Sequence, residues 1–148
     1  MTVVKKFSEL SIEELYQILR LRSEVFVVEQ DCVYQDLDNK DQISVHIFIK
    51  EKNEIVAYTR IFKSGDYYKN PSIGRVVVSK KNRGKELGKK IMRSSIDYIQ
   101  ENLKGDKIEL SAQKYLDKFY KDLGFYKIGE DYLEDGIPHQ RMIKEINS

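Results

Sequence analysis

The apolar positions of the chain follow two spacings, and the changes between them divide the sequence into predicted elements. Runs dense in β-branched and aromatic residues predict a strand at 2–7, a two-stranded hairpin at 43–63 and a strand at 73–79. The turn of the hairpin is expected at Lys52–Asn53–Glu54. Further along, GDKIELSAQ predicts a turn and then a strand, and the tail around Gly136 predicts one or two more strands.

Three other segments have the spacing or the end signals of helices. The first begins at Ser11, where Glu14 three positions later completes a capping-box signature. The second covers 85–103, and the third, YLDKFYKDLGF, is expected to end at Gly124 as a C-cap. The second helix carries a stripe made of Gly88, Met92, Ser95, Ile99 and Leu103. The order β-α-β-β-β-α-β-α-β-β predicts an α+β fold with a mixed, mostly antiparallel sheet flanked by helices.

Length and composition indicate a globular protein with one domain over residues 1–148. No apolar run approaches the ~20 residues of a membrane span, and MTVVKKFSEL lacks the apolar core of a signal peptide. No membrane partner is therefore expected. The single cysteine, Cys32, excludes an internal disulfide and fits a cytoplasmic location. A net charge of +2 is too small to indicate a nucleic-acid-binding protein, and no residue spacing predicts a metal site.

Residues 73–99 place basic residues and glycines where a predicted strand gives way to a helix. The first turn of a helix has backbone N–H groups without partners, and the helix dipole adds positive potential, so such a turn attracts phosphate. From residues 82–88 alone, a pyrophosphate-binding turn and a solvated basic turn both remain open. The segment has neither a Walker loop nor a Rossmann fingerprint. Its basic residues are Lys80, Lys81, Arg83, Lys85, Lys89 and Lys90.

A second segment, LSAQKYLDKFYKDLGF, changes this balance. It contains Phe119–Tyr120 followed by Gly124–Phe125, and with the Arg83–Gly88 loop it resembles the GNAT superfamily of acyl-CoA-dependent N-acetyltransferases. That superfamily has an R/Q-x-x-G-x-G/A loop and a later F-Y-x-x-x-G-F motif. LRSEVFVVEQDCVYQDLDNKD and EDGIPHQRM resemble its ElaA-type branch, so the resemblance covers nearly the whole chain. One departure is Glu86, which stands where the superfamily loop usually has glycine.

The resemblance implies a GNAT fold and acetyl-CoA as co-substrate. The strand at Val76, Val77 and Val78 would present its backbone to the pantetheine arm. The pyrophosphate would be held by the loop residues Arg83, Gly84, Lys85, Glu86, Leu87 and Gly88. Gln113 would face the pantetheine, where many members have asparagine. Tyr120 would donate a proton to the departing thiolate; without the motif, a packed core aromatic would be the simpler interpretation.

The acceptor side is less defined. An amine must lose protons before and during transfer, so a base or a water path is needed. Candidate bases are Glu29, Asp36, Asp38 and His46, and candidate acceptor-binding residues are Glu29, Tyr34, Asp36 and Asp38. The acidic loop that contains most of them, 27–41, would suit a cationic acceptor, although its aspartates could equally cap loop turns.

Several further side chains keep two interpretations. His46 and His139 could be core or edge residues. Arg60 and Arg75 could be structural arginines, or they could orient an acceptor or the acidic loop. Cys32 is a poor candidate for a nucleophile, because direct transfer is implied by the resemblance.

The sequence therefore predicts an acetyl-CoA-dependent N-acetyltransferase that acts on a small-molecule or peptide amine. One alternative is a non-catalytic acyl-CoA-binding or sensing domain of the same fold. Another is a small nucleotide- or nucleic-acid-binding protein that uses the basic turn, but the chain lacks an aromatic stacking motif. A homodimer is left open.

Overall fold

The helices and strands of the chain follow one another in the order that the sequence predicts. The computed structural model describes residues 1–146. Within them the helices are α1 (Ile12–Arg22), α2 (Leu87–Asn102) and α3 (Asp117–Asp122). The strands are β1 (Thr2–Lys6), β2 (Val45–Glu51), β3 (Glu54–Phe62), β4 (Ser72–Val78), β5 (Lys107–Gln113), β6 (Tyr126–Glu134) and β7 (Ile137–Glu145).

The seven strands of the described residues form one sheet in the order β1-β2-β3-β4-β5-β7-β6. Every neighbouring pair is antiparallel except β4 and β5, which are parallel. The predicted α+β fold with a mixed, mostly antiparallel sheet is confirmed. The only parallel contact lies in the middle of this sheet.

Both faces of the central strands are buried, because helices pack on both sides. Phe48 of β2 belongs to one buried cluster with Ile18 and Leu21 of α1. Its neighbours Ile47 and Ile49 belong to the larger cluster that α2 and α3 cover. Successive side chains of a strand point to opposite faces, so α1 lies on one face and α2 with α3 on the other.

Local turn signals in the sequence are confirmed. Lys52 and Asn53, in the β2–β3 turn, have φ values of 51° and 64°. Gly124, with φ 95°, follows α3, and its N–H donates to the carbonyl of Lys121. Gly136, with φ 77°, lies in the β6–β7 turn. Glycine and asparagine tolerate this left-handed region better than other residues.

Two helix boundaries differ from the sequence expectation. The second helix begins at Leu87 rather than at Lys85, because Glu86 has a left-handed backbone (φ 63°) that a right-handed helix cannot include. The first helix continues as a π-helical segment, Ser23–Glu29, whose last part was expected to be loop. In this segment the N–H of Gln30 reaches back five residues to the carbonyl of Val25.

The capping box at the start of α1 is present and has a second function. The Glu14 N–H donates to Ser11 Oγ at 3.0 Å, and the Ser11 N–H donates to Glu14 Oε1 at 2.9 Å. The same carboxylate accepts hydrogen bonds from Lys5 of β1 and Lys50 of β2, both at 2.9 Å. Glu14 therefore fixes α1 to two strands of the sheet.

No helix among residues 1–146 has both the length and the apolar character needed to cross a membrane.

Replacement of Glu14 should reduce stability mainly above acidic pH. Burial would raise the pKa of Glu14, but the Ser11 N–H and the two lysines outweigh it and hold the pKa at about 2, below the ordinary 4.5. A lowered folded-state pKa stabilises the fold above pH 4.5, and this contribution is lost as the pH falls towards 2. We expect Glu14→Gln to lower the free energy of unfolding by about 1–3 kcal/mol at pH 7.

Urea unfolding at pH 7 and pH 3 measures this effect, with the exposed neighbour variant Glu13→Gln as control. The difference between wild type and Glu14→Gln should shrink at pH 3. An equal difference at both values would contradict the assigned ion pairs.

Candidate active site

A cleft opens where the parallel strands β4 and β5 diverge. Their pairing is confined to Ser72 opposite Glu109. Beyond this pair the strands separate around a cleft of about 700 Å³, within the size range of small-molecule sites. The backbone polar groups of β4 that face the gap are therefore not paired with β5, although the Val78 carbonyl accepts from Arg83.

The wall on the β4 side contains a bulge. The register between β3 and β4 shifts between Tyr58 and Arg60, and Arg75 takes a left-handed backbone with φ 50°. A bulge bends its strand and changes where its side chains point. Val76, Val77 and Val78, predicted to line the pantetheine, follow the bulge and line the cleft.

The N-terminus of α2 opens into the cleft. The N-cap residue Glu86 makes no side-chain hydrogen bond to the first turn of the helix. Leu87 and Gly88 begin the helix, and both line the cleft. A Cβ atom at Gly88 would lie 3.3 Å from the ring of Phe119, so glycine allows α2 and α3 to approach each other. The uncapped N–H groups and the helix dipole make this end of the cleft favourable for an anion.

Only some residues of the basic turn before α2 line the cleft. Arg83, Gly84 and Glu86 line the cleft. Lys85, predicted to contact the pyrophosphate, is not among the lining residues, and its Nζ donates to Asn82 Oδ1 at 3.1 Å.

Tyr120 lies in the wall that α3 contributes and is 5% exposed. Its ring makes edge contacts with Phe119 and Phe125, at centroid distances of 5.0 and 6.1 Å. Burial raises the pKa of Tyr120, so its hydroxyl stays protonated at neutral pH. The Tyr120 hydroxyl has no hydrogen-bond partner among residues 1–146.

Comparisons with known proteins agree with this geometry. The profile of the family described as "Acetyltransferase (GNAT) domain" matches residues 4–146. The chain belongs to the GNAT acetyltransferase family. It is 43% identical to ElaA of Escherichia coli over 141 residues, which cover 94% of this chain and 92% of that protein.

Solved structures give the same assignment. The crystal structure of E. coli ElaA superposes with a TM-score of 0.91 and 40% identity, over 98% of this chain and 99% of that one. An acyl-CoA N-acyltransferase of Pseudomonas aeruginosa superposes with a TM-score of 0.89 and 35% identity, over 97% and 99%. The predicted GNAT fold and ElaA-type resemblance are confirmed.

In this GNAT protein the loop expected to bind a cationic acceptor is neutralised by arginines. Asp36 pairs with Arg22 at 2.8 Å and with Arg75 at 2.7 Å. Both terminal nitrogens of Arg60 donate to the Asp38 carboxylate, each at 2.9 Å. Neither Asp36 nor Asp38 lines the cleft. The expectation that they bind an acceptor does not agree with this placement, and Arg60 and Arg75 orient the acidic loop instead.

Asp41 completes the same network. It accepts from Arg22 at 2.8 Å and from Arg60 at 2.9 Å. Burial would raise the pKa of Asp41, but the two guanidiniums outweigh it and lower the pKa, so Asp41 stays charged. Tyr34, predicted to contact the acceptor, does line the cleft, and its hydroxyl donates to Asp36 at 3.2 Å.

His46, predicted as a candidate base, lies outside the cleft and is fully buried. Its Nε2 lies 2.9 Å from the carbonyl of Asp41, which can only accept, so Nε2 carries the hydrogen. Its Nδ1 then accepts from the Tyr58 hydroxyl. Burial lowers the pKa of His46 and keeps it neutral. Both nitrogens are occupied, and His46 therefore does not fit the expected role.

Glu29 and Arg83, predicted for different roles, bind each other. Arg83 donates to both carboxylate oxygens of Glu29, at 2.5 and 2.8 Å. The guanidinium lowers the pKa of Glu29, which makes this carboxylate a poorer base. Arg83 also donates to the carbonyl of Val78, at 3.3 and 3.2 Å. The π-helical segment that ends at Glu29 is thereby tied to the basic turn.

Gln113, predicted to face the pantetheine, lines the cleft, and Gln30, Glu134 and Asp135 line it without having been assigned from the sequence. Gln30 and Gln113 exchange amide hydrogen bonds of 3.2 and 3.3 Å between the end of the π-helical segment and the end of β5. Glu134, Asp135 and His139 line the cleft from the β6–β7 hairpin. The quoted EDGIPHQRM segment contains all three, but its sequence does not reveal that the hairpin reaches the cleft.

No group of three or more histidine, cysteine, aspartate or glutamate side chains within residues 1–146 is arranged to hold a metal ion.

Replacing Glu29 should distinguish its pairing with Arg83 from a role as base. Glu29→Gln removes the competing carboxylate, and Arg83 becomes available to a phosphate. The two side chains are 31% and 42% exposed, so the pair is worth at most about 1 kcal/mol, and CoA affinity should rise by no more than roughly five-fold.

Isothermal titration with CoA measures this change, and Glu24→Gln, an exposed carboxylate of the same π-helical segment, is the control. Weaker CoA binding in Glu29→Gln would contradict the competition, and a loss of turnover beyond 100-fold would return Glu29 to the role of base.

Proposed function

We propose that this protein transfers an acetyl group from acetyl-CoA to a primary amine of a small molecule or peptide, by direct attack of the amine on the thioester. The observation that carries the proposal is the divergence of β4 from β5 beyond Ser72. It leaves an extended strand edge, an uncapped helix N-terminus and a protonated tyrosine around one cleft. These three features match the three parts of an acyl-CoA: its amide-containing arm, its pyrophosphate and its thioester.

The cofactor would lie along β4 with its pyrophosphate at the start of α2. The amides of the pantetheine arm can hydrogen-bond to the exposed backbone around Val76–Val78. The N–H groups of Leu87 and Gly88 are suited to the pyrophosphate oxygens. Arg83 would add a charge-assisted hydrogen bond once it leaves Glu29. The P. aeruginosa relative, which is described as an acyl-CoA N-acyltransferase, supports the same class of ligand.

The reaction needs three proton transfers around the thioester. The acceptor ammonium first loses a proton, and the neutral nitrogen then attacks the carbonyl carbon, forming a C–N bond. The C–S bond breaks as the tetrahedral adduct collapses, and the thiolate takes the proton of Tyr120. The nitrogen loses its second proton through solvent, which restores the tyrosine hydroxyl. The products are the amide, CoA and one released proton.

Acetyl-CoA should raise the melting temperature, since a ligand that binds only the folded state stabilises it.

Gly88→Asp should weaken CoA binding at least ten-fold, because its carboxylate would crowd Phe119 and repel the pyrophosphate. Gly88→Ala adds the crowding without the charge and should weaken binding less. Calorimetric titration of the three proteins with CoA measures the difference. If Gly88→Asp bound CoA with wild-type affinity, the placement of the pyrophosphate at the start of α2 would be contradicted.

Tyr120→Phe should reduce turnover with little change in CoA affinity. The substitution removes one oxygen and keeps the ring contacts with Phe119 and Phe125. A positioned acid contributes about 10²–10⁴-fold, and water can partly replace it, so kcat should fall by roughly 10–1000-fold. Release of free CoA, followed with a thiol reagent over a panel of primary amines, measures the rate.

Tyr16→Phe, a change of an exposed tyrosine on α1, is the matched control and should leave kcat unchanged. An unaltered kcat in Tyr120→Phe would return this residue to the role of a packed aromatic. CoA binding by the wild type without turnover of any amine in the panel would favour the non-catalytic acyl-CoA-binding alternative.

A further inference from the structure

The β6–β7 hairpin brings a buried histidine to the cleft. His139 of β7 is 6% exposed, and it lies directly opposite Gln113 of β5. Directly opposite residues of paired strands point to the same face of the sheet. The Gln113 amide contacts Gln30, which directly follows the π-helical continuation of α1, so His139 lies on the α1 face. Tyr120 lies across the sheet on the face of α2 and α3.

One nitrogen of His139 is committed to the backbone. Nδ1 lies 2.7 Å from the carbonyl of Ile137, which can only accept a hydrogen bond. Nδ1 therefore carries a hydrogen in the neutral ring, and the lone pair of Nε2 is the one that can take up a proton. His46 differs, because both of its nitrogens are used inside the protein.

A carboxylate lies beside the reactive nitrogen. Glu134 Oε2 is 3.5 Å from His139 Nε2, and Ser111 donates to the other carboxylate oxygen at 3.2 Å. The Tyr132 ring stacks on the imidazole with a centroid distance of 6.2 Å. The Tyr132 hydroxyl is hydrogen-bonded to Ser111 Oγ at 2.5 Å. A proton transferred to Nε2 would therefore lie beside the Glu134 carboxylate.

Three other titratable groups that line the cleft are engaged elsewhere. Glu29 is bound by Arg83, and Tyr34 donates to Asp36. Burial raises the pKa of Tyr34, so it holds its proton. Cys32 Sγ donates to the backbone carbonyl of Asp135. The residues near His139 on the neighbouring strands are Ser111, Gln113, Tyr132 and Glu134, and Asp135 lines the same cleft.

We propose that His139, supported by Glu134, is the general base that removes a proton from the acceptor ammonium. The proposal rests on the transfer reaction proposed above. The N–H bond of the ammonium breaks, the proton forms a bond to Nε2, and the freed lone pair attacks the thioester. The imidazolium then releases the proton to solvent beside Glu134 and Asp135. The acidic side chains of this hairpin also favour a cationic acceptor over an anionic one.

A spectroscopic experiment tests the base without an acceptor. Nitrogen-15 NMR of the histidine rings, compared with the spectrum of His139→Gln, assigns the signals of the two histidines. The neutral ring of His139 should be the Nδ1–H tautomer, because Nδ1 donates to the Ile137 carbonyl. A neutral ring with its hydrogen on Nε2 overturns the proposal.

Kinetics then test the role in turnover with acetyl-CoA and four probe amines: propylamine, putrescine, glucosamine and a tripeptide with a free N-terminus. His139→Gln should lower kcat roughly 10–1000-fold at pH 7, with the KM for acetyl-CoA changed less than about three-fold. The loss should shrink at pH 9–10, where more of the amine is already neutral. An unchanged kcat at pH 7, or a loss that does not depend on pH, overturns the base.

Glu134→Gln provides a second variant, because its carboxylate is 48% exposed and its replacement should not disturb folding. It should lower kcat at pH 7 less than His139→Gln does. Glu130→Gln, an exposed carboxylate of the same strand outside the cleft lining, is the matched control and should leave kcat unchanged. If the wild type turns over no amine, the proposed acetyl transfer is wrong. Finding the Nδ1–H tautomer in that case would still support Nε2 of His139 as the nitrogen with a free lone pair.

Discussion

The parallel contact between β4 and β5 is the constraint on which the rest of the structure depends. It is limited to Ser72 opposite Glu109, although both strands continue for several residues. A complete ladder would satisfy the facing backbone groups and leave no room for a ligand. The bulge at Arg75 bends β4 next to this contact. The cleft is therefore a gap within the sheet, lined from both of its faces.

The segment above this gap is held by charge rather than by regular structure. Three arginines and three aspartates balance one another, and Arg22 and Arg60 are almost completely buried. Such a network gives little net stability, since desolvation offsets the attraction, but removal of one partner typically costs about 3–5 kcal/mol. Its contribution is position: it fixes Asp36, and Asp36 in turn orients Tyr34 at the cleft. The charges of Asp36, Asp38 and Asp41 are balanced by arginines inside the protein.

The features that the sequence predicted well depend on residues close together in the chain. The capping box joins Ser11 to Glu14, and Gly124 ends α3. The features it could not predict join distant residues, such as Glu29 with Arg83, or Asp38 with Arg60. A carboxylate in a loop has the same local pattern whether it faces solvent, a substrate or a buried arginine. Only the tertiary fold decides among these, which is why candidate bases were chosen by residue type and several proved to be paired.

The two faces of the gap suit opposite proton transfers. On the face of α2 and α3, Tyr120 is surrounded by apolar and aromatic side chains, and burial disfavours its anion, so it holds a proton until a stronger base forms beside it. On the α1 face, the Nδ1 of His139 donates to a backbone carbonyl and its Nε2 lies near a carboxylate, so Nε2 is the nitrogen with a lone pair for a proton. A thioester held in the gap would have one group on each side.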